Sequence, residues 1–127
     1  MATVVTNTGE EYTVDKFTET VQTKPEYVGW GTGAGTAAKA DTDLFTPVNT
    51  DPGNVLRLVA TTSKTGSGST AKYQAVATLT ALAGGQTITN AGLWTAVSGG
   101  SLVVKGDHAS TVLAGADQIQ YSLCRAQ

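Results

Sequence analysis

The run Lys64-Thr-Gly-Ser-Gly-Ser-Thr-Ala-Lys-Tyr-Gln-Ala-Val-Ala-Thr-Leu-Thr-Ala81 decides the fold. Tyr73, Ala75, Ala77, Leu79 and Ala81 fall on one phase of a two-residue alternation; Lys72, Gln74, Thr78 and Thr80 fall on the other, with Val76 the exception. Successive side chains of a strand point to opposite faces, so this pattern predicts a strand with one face buried. The Gly/Ser-rich stretch from Lys64 to Thr70 ahead of it reads as a hairpin tip. From Asn54, Leu56, Leu58 and Ala60 alternate with Val55, Arg57 and Val59 in the strand that leads up to that tip.

Downstream, Ala83-Gly84-Gly85-Gln86 turns the chain and Thr87 to Trp94 reads as the next strand. The Ser98-Gly99-Gly100 turn then leads into Leu102-Val103-Val104-Lys105. The last strand alternates most clearly, with Ile119, Tyr121 and Leu123 set against Gln118, Gln120 and Ser122. Strands joined by short glycine-rich turns predict a mainly β chain, a single antiparallel β-sandwich of jelly-roll-like type over residues 1–127.

Upstream the signals differ. Residues 1–9 read as an extended N-terminal arm that Gly9 breaks. Over residues 10–21, Val14, Phe17 and Val21 share one helical face, which predicts a short helix with Glu10 and Glu11 at its N-terminus. Five β-branched residues in the same window oppose it. Glu26 to Trp30 reads as a short strand, Gly31 to Ala38 as a flexible loop, and Asp41-Thr-Asp-Leu-Phe45 as an N-cap and one helical turn with Leu44 and Phe45 facing inward. Pro47 and Pro52-Gly53 punctuate the chain between that turn and Asn54.

Composition narrows the function. Charged residues make up 14% of the chain, below the ~25% of an ordinary soluble protein. Threonine, with 22 residues, takes their place and suits the solvent face of strands. The net charge is −2 and the eight basic residues are scattered, so no phosphate-neutralising stripe exists and no nucleic-acid partner is expected. No apolar run reaches the roughly 20 residues of a membrane span, and no leader pattern opens the chain, so neither a membrane nor a secretory route is expected. A lone cysteine, Cys124, cannot form an intrachain disulfide.

Candidate chemistry is sparse. His108, the only histidine, sits in Gly-Asp-His-Ala, read as a loop, and could serve a thiol only if the fold brought Cys124 to it. One His and one Cys cannot supply the ligands of a zinc site. Asp41-x-Asp43 lacks the glycine and distal glutamate of a calcium loop, and helix capping accounts for Asp41. The run Gly29-Trp-Gly-Thr-Gly-Ala-Gly35 lacks the GK[ST] ending of a phosphate loop. Trp30 and Trp94 lie in strand patterns, where burial is commoner than service as a sugar platform. No catalytic residue, metal or cofactor is expected.

Three stretches together resemble a family of small bacteriophage virion proteins. They are Tyr27-Val-Gly-Trp-Gly-Thr-Gly-Ala-Gly-Thr-Ala-Ala38 with Asp41-Thr-Asp-Leu-Phe-Thr46, Gln86-Thr-Ile-Thr-Asn-Ala-Gly-Leu-Trp-Thr-Ala96 with Ser98-Gly-Gly-Ser-Leu-Val-Val-Lys-Gly-Asp107, and Ala116-Asp-Gln-Ile-Gln-Tyr-Ser-Leu123. Their order is similar to that in capsid decoration (cement) proteins and spans about residues 25 to 123. Ala116-Asp117 departs from the Gly-Asp of the family pattern. The resemblance implies a β-sandwich without catalytic residues, made in the host cytoplasm and placed on the capsid surface. It further implies a homo-oligomer, a trimer, that bridges neighbouring major capsid protein subunits. Similar segments occur in tail, baseplate or fibre components, which is the alternative; a sugar-binding module is a second. The expected contact residues are Thr3, Val4, Val5, Thr6 and Asn7 in the arm, then Gly31, Thr32, Gly33, Ala34 and Gly35 in the loop, and Lys64, Thr65 and Ser67 at the hairpin tip.

Overall fold

Two antiparallel sheets face each other in the computed structural model, which describes residues 3–18, 24–50, 53 and 55–126. The elements run β1 (Thr3–Val5), α1 (Asn7–Phe17), β2 (Tyr27–Gly31), β3 (Pro47–Val48), β4 (Arg57–Val59), β5 (Thr61–Thr65), β6 (Lys72–Thr80), β7 (Gln86–Trp94), β8 (Leu102–Leu113) and β9 (Gln118–Ala126). The larger sheet has the order β1-β8-β7-β2-β3, with β4 also on β2; the smaller is β5-β6-β9. The chain is thus mainly β, a sandwich with an N-terminal helix.

The alternation along β6 folds as it reads. Ala75, Ala77 and Leu79 are buried and pair with Leu123, Tyr121 and Ile119 of β9. They pack on Val28, Trp30, Leu93 and Val104 from the larger sheet, and this layer is the main core. The hairpin tip is also as expected, a 3-10 turn over Gly68–Thr70 between β5 and β6. The strand read from Asn54 is instead two strands in different sheets. β4 pairs with β2, β5 pairs with β6, and the chain crosses between them at the buried Ala60, whose N–H donates to Glu26 O at 2.6 Å. Asn54 itself lies outside the described residues.

The N-terminal arm is corrected. Thr3, Val4 and Val5 pair with Gly106, Lys105 and Val104 and so supply ladder partners to the edge of β8. Thr6 is fully buried and caps α1: its Oγ1 accepts from Gly9 N at 3.0 Å and donates to Leu102 O. The helix therefore begins at Asn7 rather than Glu10. Gly9 does not break it; a Cβ there would lie 2.9 Å from Val103 Cα, so glycine is what lets the helix lie against β8. Tyr12 faces the core from α1, while Val14 and Phe17, the stripe read from the sequence, face solvent. Val21 lies outside the described residues.

Two further readings change. β8 continues through Gly106 to Leu113, so His108 is on a strand and not in a loop. Residues 41–45 form no helix. Leu44 is buried as expected, but Asp41 caps a loop, accepting from Ala38 N at 2.9 Å.

Candidate functional site

Two of the three stretches that carry the resemblance converge on the outer face of the larger sheet, while the third, Ala116 to Leu123, runs into β9 of the smaller one. Register places Gly29 and Gly31 of β2, Asn90, Gly92 and Trp94 of β7, and Lys105 and Asp107 of β8 on that face. The chain from Thr32 to Thr46 folds back over it. Thr32 N donates to Thr46 O at 3.1 Å and Gly33 N to Phe45 O at 2.9 Å, which closes the strap on itself. Asn90, fully buried, then holds it down: its Oδ1 accepts from Phe45 N at 3.0 Å and its Nδ2 donates to Phe45 O at 3.1 Å. Thr89 Oγ1 donates to Gly33 O, and Asp107 Oδ1 accepts from Ala37 N at 2.9 Å.

Lys105 is the centre of this clasp. It is 1% exposed, and its Nζ donates to Asp41 Oδ2 at 2.9 Å and Asp43 O at 2.7 Å. The same ammonium lies 3.3 Å from the centroid of the Phe45 ring. A buried cation must be paired and hydrogen-bonded, and here two oxygens and a π face do so. The Asp41 carboxyl is held below its ordinary range, first by the Ala38 N–H and then by Lys105. The Asp41-x-Asp43 pair considered for a metal thus receives an internal ammonium. Among the described residues no group of three or more His, Cys, Asp or Glu is placed to hold a metal ion.

The glycine run has a packing role in this clasp. A Cβ on Gly35 would sit 2.7 Å from Cζ of Phe45. Gly35→Ala should cost about 1–3 kcal/mol by overpacking. It should also speed hydrogen exchange at the Phe45 amide; an unchanged exchange rate there would show that the ring is not wedged by the loop. Of the expected contact residues in this segment, Gly31 is buried within β2, Thr32 and Gly33 are half-buried, and Ala34 and Gly35 remain exposed. At the hairpin tip Lys64 and Ser67 are exposed and Thr65 is half-buried. The tip is closed by Ser67 N donating to Thr70 Oγ1 at 3.1 Å and Thr70 Oγ1 donating to Ser67 O at 2.8 Å. Among the arm residues, Thr3 and Asn7 are exposed and Val4 and Val5 half-buried.

A second fastening lies beside the clasp. Arg57 stacks on Trp94 at 3.5 Å and donates to Ala96 O and Gly99 O, both at 2.7 Å, which pins the turn after β7. Burial lowers the Arg57 pKa. Trp94 and the fully buried Trp30 are both core residues, so neither offers a ring face to a sugar.

His108 is committed elsewhere. Its Nε2 is 2.7 Å from the Tyr121 hydroxyl, a bond from β8 to β9 that joins the two sheets, and burial pushes the Tyr121 pKa well up. The Cys124 side chain lies outside the described residues.

The outer face of the smaller sheet was missed in the sequence. Thr61, Ser63, Gln74, Val76, Thr78, Thr80, Gln118, Gln120 and Ser122 share it by register, with the exposed Lys72 as its one charged residue, at the hairpin-tip end. Cross-strand bonds order it: Gln74 Nε2 to Ser122 Oγ at 2.6 Å, Gln118 Nε2 to Thr80 Oγ1 at 3.2 Å and Gln120 Nε2 to Thr78 Oγ1 at 3.5 Å. The alternation that marks these strands contains the same residues, but only as the polar phase; that they form one continuous surface depends on pairing. No helix among the described residues is long and apolar enough to cross a membrane. Comparison with family models, curated proteins and solved structures gave no match.

Proposed function

We propose that this chain is a non-enzymatic structural protein of a bacteriophage virion, a decoration protein that lies on the capsid and bridges neighbouring major capsid protein subunits. The observation that carries the reading is the polar outer face of β5-β6-β9, whose central side chains are all uncharged and whose one charge, Lys72, is at the hairpin-tip end. Apart from Lys72, its side chains are short or tied to one another across strands, so ordering it on a partner costs little entropy. It carries no carboxylate or imidazole, and what it can offer is contact. The resemblance of the clasp stretches to decoration proteins points the same way. Contacts of modest strength suffice on a lattice, because each subunit held at one point raises the effective concentration at the next. The exposed residues Lys64 and Ser67 lie at the tip of the β5–β6 hairpin, at the end of this face.

Copy number in purified virions tests the place on the particle. Hundreds of copies support the capsid; a single ring's worth of copies indicates a tail, baseplate or fibre component instead. A paired substitution tests the surface. Thr78→Lys with Gln120→Lys puts two cations on exposed positions of the face. Stability should change by no more than about 0.5 kcal/mol. Binding to particles should fall by roughly ten-fold or more, because unpaired charges would be buried. Full occupancy of particles by this variant would remove the face from the docking surface.

A further inference from the structure

The helix α1 presents an apolar stripe to solvent. Phe17 is 82% exposed and Val14 58%, one turn apart on the same side. Beside Phe17 opens an apolar groove of about 260 Å³, floored by Tyr12, Tyr73, Leu93 and Val103 and rimmed by Lys16 and Lys24. Tyr12 is 8% exposed, and its hydroxyl has no hydrogen-bond partner among the described residues.

The complement of the groove is on the same helix. An apolar cavity of about 150 Å³ already accepts a benzene ring, so a phenyl side chain fits here with room. Glu11 is exposed and Asp15 half-buried, and they flank Val14 and supply carboxylates. Lys16 makes no ion pair among the described residues, whereas Lys24 is engaged with Glu26 at 3.6 Å. One patch therefore carries an aromatic knob, a hole of matching size, unspent carboxylates and an unpaired ammonium. A two-fold axis brings a patch onto itself and satisfies knob and hole twice in one operation.

We propose that the chain self-associates about a two-fold axis through α1, with Phe17 of each copy seated in the Tyr12–Tyr73–Leu93 groove of the other and Lys16 facing the acidic side of the partner helix. This does not depend on the virion reading. It predicts pairs in solution, so trimers on a particle would need a separate contact.

Sedimentation of the purified full chain from low micromolar to several hundred micromolar tests it. The mass should rise with concentration to twice the 12.9 kDa of one chain. Phe17→Ser should weaken pairing by roughly thirty-fold, as loss of an aromatic anchor does. Its melting temperature at low concentration should stay that of the wild type, because the side chain is solvent-exposed. Lys16→Glu should also weaken pairing, and adding Glu11→Lys should restore it. A mass fixed at one chain over the whole range, a mass of three chains, or pairing that survives Phe17→Ser undiminished would each overturn the proposal.

Discussion

Replacing Trp30 with alanine will lower stability by about 3–5 kcal/mol, the cost of a cavity where a large aromatic ring was fully enclosed. Trp30 sits on β2 against the alanines of β6, and small residues on the facing strand cannot swing in to fill the space. In a chain of 127 residues this corresponds to a fall in melting temperature on the order of 10–20 °C. Trp30→Phe separates volume from polarity. The indole Nε1 has no hydrogen-bond partner among the described residues, so phenylalanine removes an unsatisfied donor while keeping most of the ring. The loss should then be no more than about 1–2 kcal/mol. Thermal melts of the two variants check this; equal damage from both would mean that the indole N–H is satisfied and cavity volume is not the deciding cost.

The second large effect is expected at Lys105. Lys105→Ala removes the buried ammonium and strips Asp41, Asp43 O and the Phe45 ring of their common partner. Breaking a fully buried ion pair costs about 3–5 kcal/mol. Asp41 is 24% exposed and regains some water, so the expected loss is about 2–4 kcal/mol. Lys105→Met keeps the stem and should recover part of it. The pair also makes stability depend on pH. Asp41 has a lowered pKa in the folded state, so its contribution is complete above the unfolded value of about 3.9 and disappears as pH falls through the folded value. Wild type should therefore exceed Asp41→Asn by a constant margin from neutral pH to about pH 5, and the margin should close below about pH 4. Denaturant melts at several pH values decide it: an unchanged margin at the acid end would show that the carboxylate's charge is not what Lys105 holds.

Much of the sandwich was legible because β6 and β9 bury one face each, so apolar and polar residues alternate. Reading failed where that condition lapses. From Asp107 to Val112, β8 has no buried side chain, so no period of two appears and the strand reads as a loop around His108. At α1 the periodicity was real but its direction was not in the sequence: Val14 and Phe17 mark the outward side, and Tyr12 with Gly9 the inward one. The clasp was legible as a string of residues, Gly31 to Asp107, without its meaning. Asn90 and Phe45 are 45 positions apart and Lys105 and Asp41 are 64 apart, and only the strand register brings them together. The polar outer face of the smaller sheet has the same origin, since it draws on three strands whose order no local pattern states.

The crossing at Ala60 bears on how the sandwich transmits force. A loop between sheets gives slack, and sheets joined only by loops can slide, open, or exchange a hairpin with a neighbour. Here the passage from β4 to β5 is one residue long and is tied to Glu26, so that corner is a fixed joint. A pull on the smaller sheet passes to β4 and β2 within one covalent step, before any connection can lengthen. The β5–β6 hairpin cannot peel away or swap unless β4 unzips from β2 as well. A protein anchored through its smaller sheet would follow a deforming support as one stiff body.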